Sequence, residues 1–332
     1  MDSLTQIVLG AAVGEAVLGN KIGNKAMFYG AIAGTIPDLD VLAAYFTDTV
    51  TALEIHRGFT HSILFSLIFA PIFGLLVSKF EKYKNKKDWI VFFFLTLVTH
   101  PILDAQTTWG TQLFWPFDIR LAFKNVFVID PLYTLPFLVF LILTMFQKRT
   151  TKKRRFYNNC GLIISSSYLV LSLILKGISY QTFTKELAAQ NIVYSEIETK
   201  PSPLNTILWT ANVATENAFL IGNSSFFDNN PIQFSSYPKN HYLLGDLAIH
   251  PKTKRMIAIS KGWYTINKKE NTLYFNDLRF GTLSTQPNTQ NFVFKYKIEI
   301  DKEGTPYFIE EPKEKRDAKK LMLELWERIK GN

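Results

Sequence analysis

Between Pro37 and Asp104 the chain sets three histidines, His56, His61 and His100, and three nearby aspartates, Asp38, Asp40 and Asp104, in segments otherwise apolar enough to span a bilayer. Ionisable groups in apolar helices are expensive and persist where they line a site. The stretches read GTIPDLD at 34–40, HRGFTHS at 56–62 and THPILD at 99–104. Imidazole and carboxylate together are a common donor set for a metal ion. The pattern predicts a metal site built inside a helical membrane domain.

Six apolar segments carry this pattern, at 4–19, 26–46, 59–78, 88–105, 127–147 and 160–176. A span needs about 20 apolar residues, so the first and last are short. Ser3 and Gln6 have capping-box spacing, which predicts a helix from Leu4. The expected fold is an α-helical polytopic membrane domain of six helices over 1–178. A small β-rich exterior domain with a C-terminal helix is expected over 179–332. Strand-like runs lie near 192–198, 204–213, 217–221, 256–260, 271–280 and 291–299, with a polar helix at 313–329.

The net charge of +9 would fit a nucleic-acid surface, but its location argues against one. Much of the excess sits in KFEKYKNKK (79–87) and KRTTKKRR (148–155), each flanked by apolar segments, as in cytoplasmic loops. Lys21 and Lys25 mark a third such connection. With these three inside, the loops 47–58 and 106–126 and everything after about 178 lie outside. His61, His100, Asp104, Asp38 and Asp40 then come to one level in the outer half. The N-terminus shows no basic n-region or cleavage site, so the first apolar segment is expected to stay. The lone Cys160 excludes an intrachain disulfide framework and a cysteine-based zinc finger.

His100 and Asp104, four apart, share a helix face, and Pro101 between them implies a kink. Arg57 shares a face with His61 if the helix already includes it. His56 lies about 140° from His61 on an ideal helix and joins one site only if a bend at Gly58 folds it back. Arg57 suits a phosphate or carboxylate, or else snorkels to the interface. Pro37 predicts a broken helix in which Asp38 and Asp40 converge on a cavity; alternatively one of them is an N-cap. Glu15 falls toward the inner side. Gln106, Thr107, Arg120 and Asp130 either line a substrate cleft or serve turns. His241 and His250 read as surface residues. There is no GxSxG, P-loop or HExxH.

MDSLTQIVLGAAVGEAVLG at the start, then PDLD, HRGFTHS, THPILDAQTTWGTQLFWPF and FVIDPLYTLP, resemble the YdjM-like family of membrane-bound metal-dependent hydrolases. PLNTILW (203–209) and NDLRFG (276–281) resemble the exterior domain of its longer members. More distantly, the family is similar to the zinc-dependent phospholipase C and P1 nuclease group. The resemblance implies Asp38, Asp40, His56, His61, His100 and Asp104 as metal ligands. Some members carry histidine after the opening Thr, where this chain has Gln6; a ligand at that position there would imply a weakened or missing metal here.

The expected function is a hydrolase of the bacterial cytoplasmic membrane, its C-terminal domain on the non-cytoplasmic side. Zn²⁺, or Mn²⁺ or Mg²⁺ given the oxygen donors, would acidify a water and polarise the scissile group. Asp38 or Asp104 would serve as general base. Arg57, Gln106 and Arg120 would receive a phosphoester of a lipid or lipid-linked substrate. The alternatives are a metal-ion transporter, with the cluster as a station on a path, and a metal-binding membrane scaffold.

Overall fold

The computed structural model describes residues 1–284, 286, 288–312 and 317–331. They divide into two compact units: Met1–Ala43, Ile55–Ile174 and Pro203–Asn205 in the first, and Ala44–Glu54, Leu175–Ser202 and Thr206–Asn332 in the second.

The first unit opens with a helical hairpin, α1 (Ser3–Ile22) and α2 (Asn24–Thr35). Asp2, not the expected Ser3, is the N-cap, its carboxylate accepting from the Thr5 amide at 3.1 Å. The two helices meet through paired small-residue motifs, Gly10 and Gly14 against Gly30 and Gly34. A Cβ at Gly10 would lie 2.3 Å from the Gly30 carbonyl oxygen, and one at Gly34 would lie 2.6 Å from that of Gln6. Only glycine permits this approach, which in membranes replaces the hydrophobic drive between helices. It also sets the Gly34 carbonyl against His100, 2.6 Å from its Nδ1.

Pro37 cannot continue the α-helical ladder, and Pro37–Tyr45 tightens into 3-10 geometry. After α3 (Thr49–Ile55), a 3-10 turn at Phe59–His61 leads into α4 (Ile63–Phe80), whose N-cap Ser62 accepts from Phe65 at 3.0 Å. Then come α5 (Lys86–Asp104), α6 (Pro131–Met145) and α7 (Lys152–Ala189).

Six spans are too many. Among the described residues, α4 and α7 have the length and apolarity to cross a membrane, while α6 is apolar but shorter. α2 stops after 12 residues, α1 carries Gln6, Glu15 and Lys21, and α5 opens on Lys86, Lys87 and Asp88. On α1 and α5 the large apolar residues Val8, Leu18, Trp89, Phe92 and Leu97 pack inward and are buried, although Leu4, Ile7, Val91 and Ile102 are exposed. The outer helices leave a wider apolar face uncovered: Leu67 and Ile72 on α4, Val139 on α6 and Ile163 and Val170 on α7 are exposed. Apolar surface of that extent needs a cover, and lipid supplies it.

The basic connections gather at one end of this bundle. Lys25 binds Glu81 at 2.8 and 2.9 Å, Arg149 donates to the Lys21 carbonyl at 3.0 Å, and Arg154 grips Glu15 through two 2.6 Å contacts. Gln6 lies fifteen residues before Lys21 on α1, about 22 Å away along the axis. The histidines and aspartates cluster at the Gln6 end.

In the second unit, β1 (Glu196–Pro201), β2 (Leu208–Ala214), β3 (Ala218–Ser225) and β4 (Phe234–Pro238) form an antiparallel sheet in that order. After α8 (Pro251–Ile259), β5 (Tyr264–Lys269), β6 (Thr272–Thr282), β7 (Phe292–Ile300) and β8 (Pro306–Glu310) form another, followed by α9 (Ala318–Ile329). Two antiparallel sheets and a terminal helix match the expected character of this half. The run at 256–260 is helical instead: Pro251 opens α8 and His250 caps it, Nδ1 accepting from Lys252 at 3.2 Å. Of the helix expected at 313–329, residues 313–316 lie outside the described residues. Segment 44–54 belongs to this unit: Val50 joins the core of Tyr264, Phe275 and Tyr296, and Arg255 binds Glu54 at 2.8 and 2.5 Å.

Candidate metal centre

Asp38, His61, His100 and Asp104 each offer one donor atom, all within 4.8 Å of one another, a group that can hold a metal ion. The second-nitrogen contacts of the imidazoles fix what faces the centre. His100 Nδ1 lies 2.6 Å from the Gly34 carbonyl oxygen, which only accepts, so this nitrogen carries the proton. His61 Nδ1 lies 3.2 Å from Asp40 Oδ2 and 3.0 Å from Thr60 Oγ1, whose own proton goes to Asp40 at 3.1 Å. In a neutral ring with its proton on Nδ1, Nε2 is the acceptor. The two Nε2 atoms face each other at 3.1 Å. Asp38 Oδ1 adds a third lone pair 3.4 Å from each, and Asp104 Oδ2 a fourth at 3.2 and 3.5 Å. Two imidazole nitrogens and two carboxylate oxygens around one point form a donor set that suits a cation.

The chain fixes Asp104 from behind. Gln6 Nε2 donates to Asp104 Oδ1 at 3.0 Å, the Met1 amino group lies on the same oxygen, and Arg57 Nε lies 3.1 Å from Oδ2. The Gln6 side-chain oxygen is buried without a hydrogen-bond partner. His61, His100 and Asp104 are sealed from solvent, whereas the Asp38 side chain is 24% exposed, so the centre opens there.

Two expected ligands are elsewhere. Asp40 faces away from the four-atom group and accepts from the Arg57 amide at 2.7 Å, Thr60 and His61 on Oδ2, and from His56 Nδ1 at 2.9 Å on Oδ1. The 3-10 turn after Pro37 sends Asp38 and Asp40 to opposite sides of His61. His56 is held by Asp40 and does not reach the group.

The expected substrate residues are also differently employed. Arg57 is buried, its Nη1 donating to Thr107 at 2.8 Å and its Nε against Asp104. Gln106 turns back to the Ile102 carbonyl at 3.3 Å, and Arg120 Nη1 donates to the His56 carbonyl at 3.2 Å. Asp130 caps α6 and accepts from Tyr168 at 2.8 Å. The Gly34 carbonyl and Thr60, both essential to the tautomers, escaped sequence reading: a backbone oxygen leaves no residue signature, and a threonine beside histidine is commonplace.

Asparagine at Asp40 keeps all four donor atoms but offers His61 an amide in place of a carboxylate. Partners of this kind are worth about 10–100-fold in metal affinity. Asp40→Asn should weaken binding by that order in a competitive chelator titration, with helix content unchanged by circular dichroism.

A family model described as YdjM inner membrane protein matches residues 1–181. The chain is similar to the inner membrane protein YbcI of Escherichia coli (strain K12), 31% identical over 99 residues, which cover 30% of this chain and 57% of that protein. It is also similar to the uncharacterized protein YfhP of Bacillus subtilis (strain 168), 30% identical over 141 residues, covering 40% and 42% respectively. The chain thus spans about half the length of the curated relatives it matches. No solved structure matches it.

Proposed function

The chain belongs to the YdjM inner membrane protein family, and from that premise we propose that it is a membrane-embedded metal-dependent hydrolase. Its substrate is a phosphoester of a lipid or lipid-linked molecule at the outer face of the membrane. The carrying observation is the pair of imidazole Nε2 atoms 3.1 Å apart, flanked by two carboxylates. Donors of a tetrahedral ion with bonds of about 2.0–2.1 Å lie about 3.3–3.4 Å apart. Five separations here run from 3.1 to 3.5 Å. That spacing favours Zn²⁺, and the carboxylates also admit Mn²⁺ or Mg²⁺.

When bound, the ion supplies Lewis acidity, toward a water and toward a phosphoryl oxygen. The protein supplies the rest. Gly34 and Asp40 hold the imidazoles in the tautomer that binds. Gln6 and Arg57 fix Asp104. Asp38, at the open side, would take the proton that water loses as it adds to phosphorus and return it to the leaving oxygen as the ester bond breaks and the alcohol departs.

The bundle end bearing Lys21, Lys25 and the two basic runs is cytoplasmic in this reading, and the second unit is not. A transporter would need donors continuing inward from the cluster. Glu15, a buried carboxylate toward the basic end, is instead closed on Arg154 at 2.6 Å, which favours the hydrolase.

Purified protein loaded with Zn²⁺ should release alcohol from a panel of phospholipid mono- and diesters in mixed micelles. Chelator should abolish this, added metal should restore it, and His100→Ala should be inert. Metal-loaded protein that turns over none of the panel would remove the hydrolase while leaving the metal centre standing.

A further inference from the structure

Residues 113–123, LFWPFDIRLAF, leave Phe114, Phe117, Ile119 and Phe123 exposed at 47, 68, 53 and 46%. A water-facing loop seldom shows so much apolar surface in so short a stretch. Nor is this loop loosely held. Ile63 N donates to the Leu113 carbonyl and Gln112 N to that of Arg57, both at 3.0 Å. Thr111 Oγ1 donates to the His61 carbonyl at 3.1 Å and Arg120 Nη1 to that of His56 at 3.2 Å. The loop is therefore pinned along the segment that carries His61.

Its apolar surface continues that of α4. The Trp115 ring lies 5.0 Å from Phe59, and Phe59 lies 5.4 and 6.4 Å from Phe65 and Phe69 on α4. The exposed face of that helix starts at Leu64 and runs on through Leu67 and Ile68. Aromatic residues at the end of a lipid-facing helix mark the interfacial zone of a bilayer. The stretch carries one acid and one base, Asp118 and Arg120. Asp118 accepts from Gln112 at 3.1 Å, and Arg120 folds inward toward His56 and Trp109.

We propose that residues 113–123 form a lip in the outer-leaflet interface that receives the acyl chains of a membrane lipid, which thereby reaches the metal cluster from the plane of the bilayer. This rests on the lipid substrate proposed above for what happens at the metal, but not for the lip's position. A lipid seated there would have its apolar part against Phe114, Phe117 and Phe123, and its polar end toward His56 and the opening at Asp38.

The test uses the full chain in phospholipid nanodiscs, with Cys160→Ser and a single bimane-labelled cysteine at Phe117→Cys or, separately, Phe123→Cys. Lys153→Cys in the basic connection is the aqueous control, and bound metal reports that each variant is folded. Nitroxide on the lipid acyl chain should quench positions 117 and 123 several-fold more than 153, and iodide should do the reverse. Iodide quenching at 117 and 123 equal to that at 153 would overturn the lip. No turnover is measured, so a failed lip and a failed hydrolase give separate results.

Discussion

Alanine at His100 should empty the metal centre. The substitution removes one of two imidazole donors and leaves the Gly34 carbonyl, now 2.6 Å from His100 Nδ1, without its donor. Loss of an outer partner costs about 10–100-fold in affinity, and loss of a donor should cost more. Purified His100→Ala, and equally His61→Ala, should carry little metal by elemental analysis where the parent carries a stoichiometric amount. His241→Ala and His250→Ala should match the parent. His241 stacks on Tyr264 at 3.9 Å with Nε2 on the Tyr264 carbonyl at 2.8 Å, and His250 caps α8. Ordinary metal content in His100→Ala would make the four residues a hydrogen-bonded framework and nothing more.

What made this centre legible in the sequence was its cost. Histidine and aspartate inside apolar runs stand out against any background, and Asp38, His61, His100 and Asp104 come together as that cost suggests. Choosing between Asp38 and Asp40 needed the path of the chain after Pro37, because residues two apart face either one cavity or two sides depending on the turn. His56 turned on the same point. The number of spans failed for a different reason. Phe92, Leu97 and Val8 are as apolar as Leu67 and Ile163, yet the former are buried and the latter exposed. Composition registers apolar surface without saying whether protein or lipid will cover it. In the second unit, alternation revealed β6 and β7, but β4 and β8 are five residues each, too short for a clear period. At 256–260 the β-branched Ile257 and Ile259 read as a strand, whereas the segment closes the helix that Pro251 opens.

Replacing Arg57 should cost the protein its metal, which is the reverse of what its sequence position suggests. In HRGFTH a lone arginine beside two histidines reads as the group that meets a substrate phosphate. In the structure its side chain is 6% exposed, Nε lies 3.1 Å from Asp104 Oδ2, and Nη1 binds Thr107 at 2.8 Å. Thr107 in turn donates to the Asp104 carbonyl at 2.8 Å, so the guanidinium ties the side chain of Asp104 to its own helix end. Removing one member of a buried ion pair destabilises by about 3–5 kcal/mol, because the remaining charge is left without its partner. Arg57→Met should therefore lower both bound metal and the melting temperature in detergent. Arg57→Lys should fall between the two, since a single ammonium keeps the charge but cannot reach the carboxylate and the threonine with the fork of a guanidinium. The backbone of Arg57, at φ 59°, is unaffected by either exchange, and its amide still serves Asp40 at 2.7 Å. A substrate arginine would behave otherwise: full metal in Arg57→Lys, an unchanged melting temperature and a raised KM for a lipid phosphoester. That outcome would return Arg57 to the substrate and leave Asp104 to be held by Gln6 and the Met1 amino group.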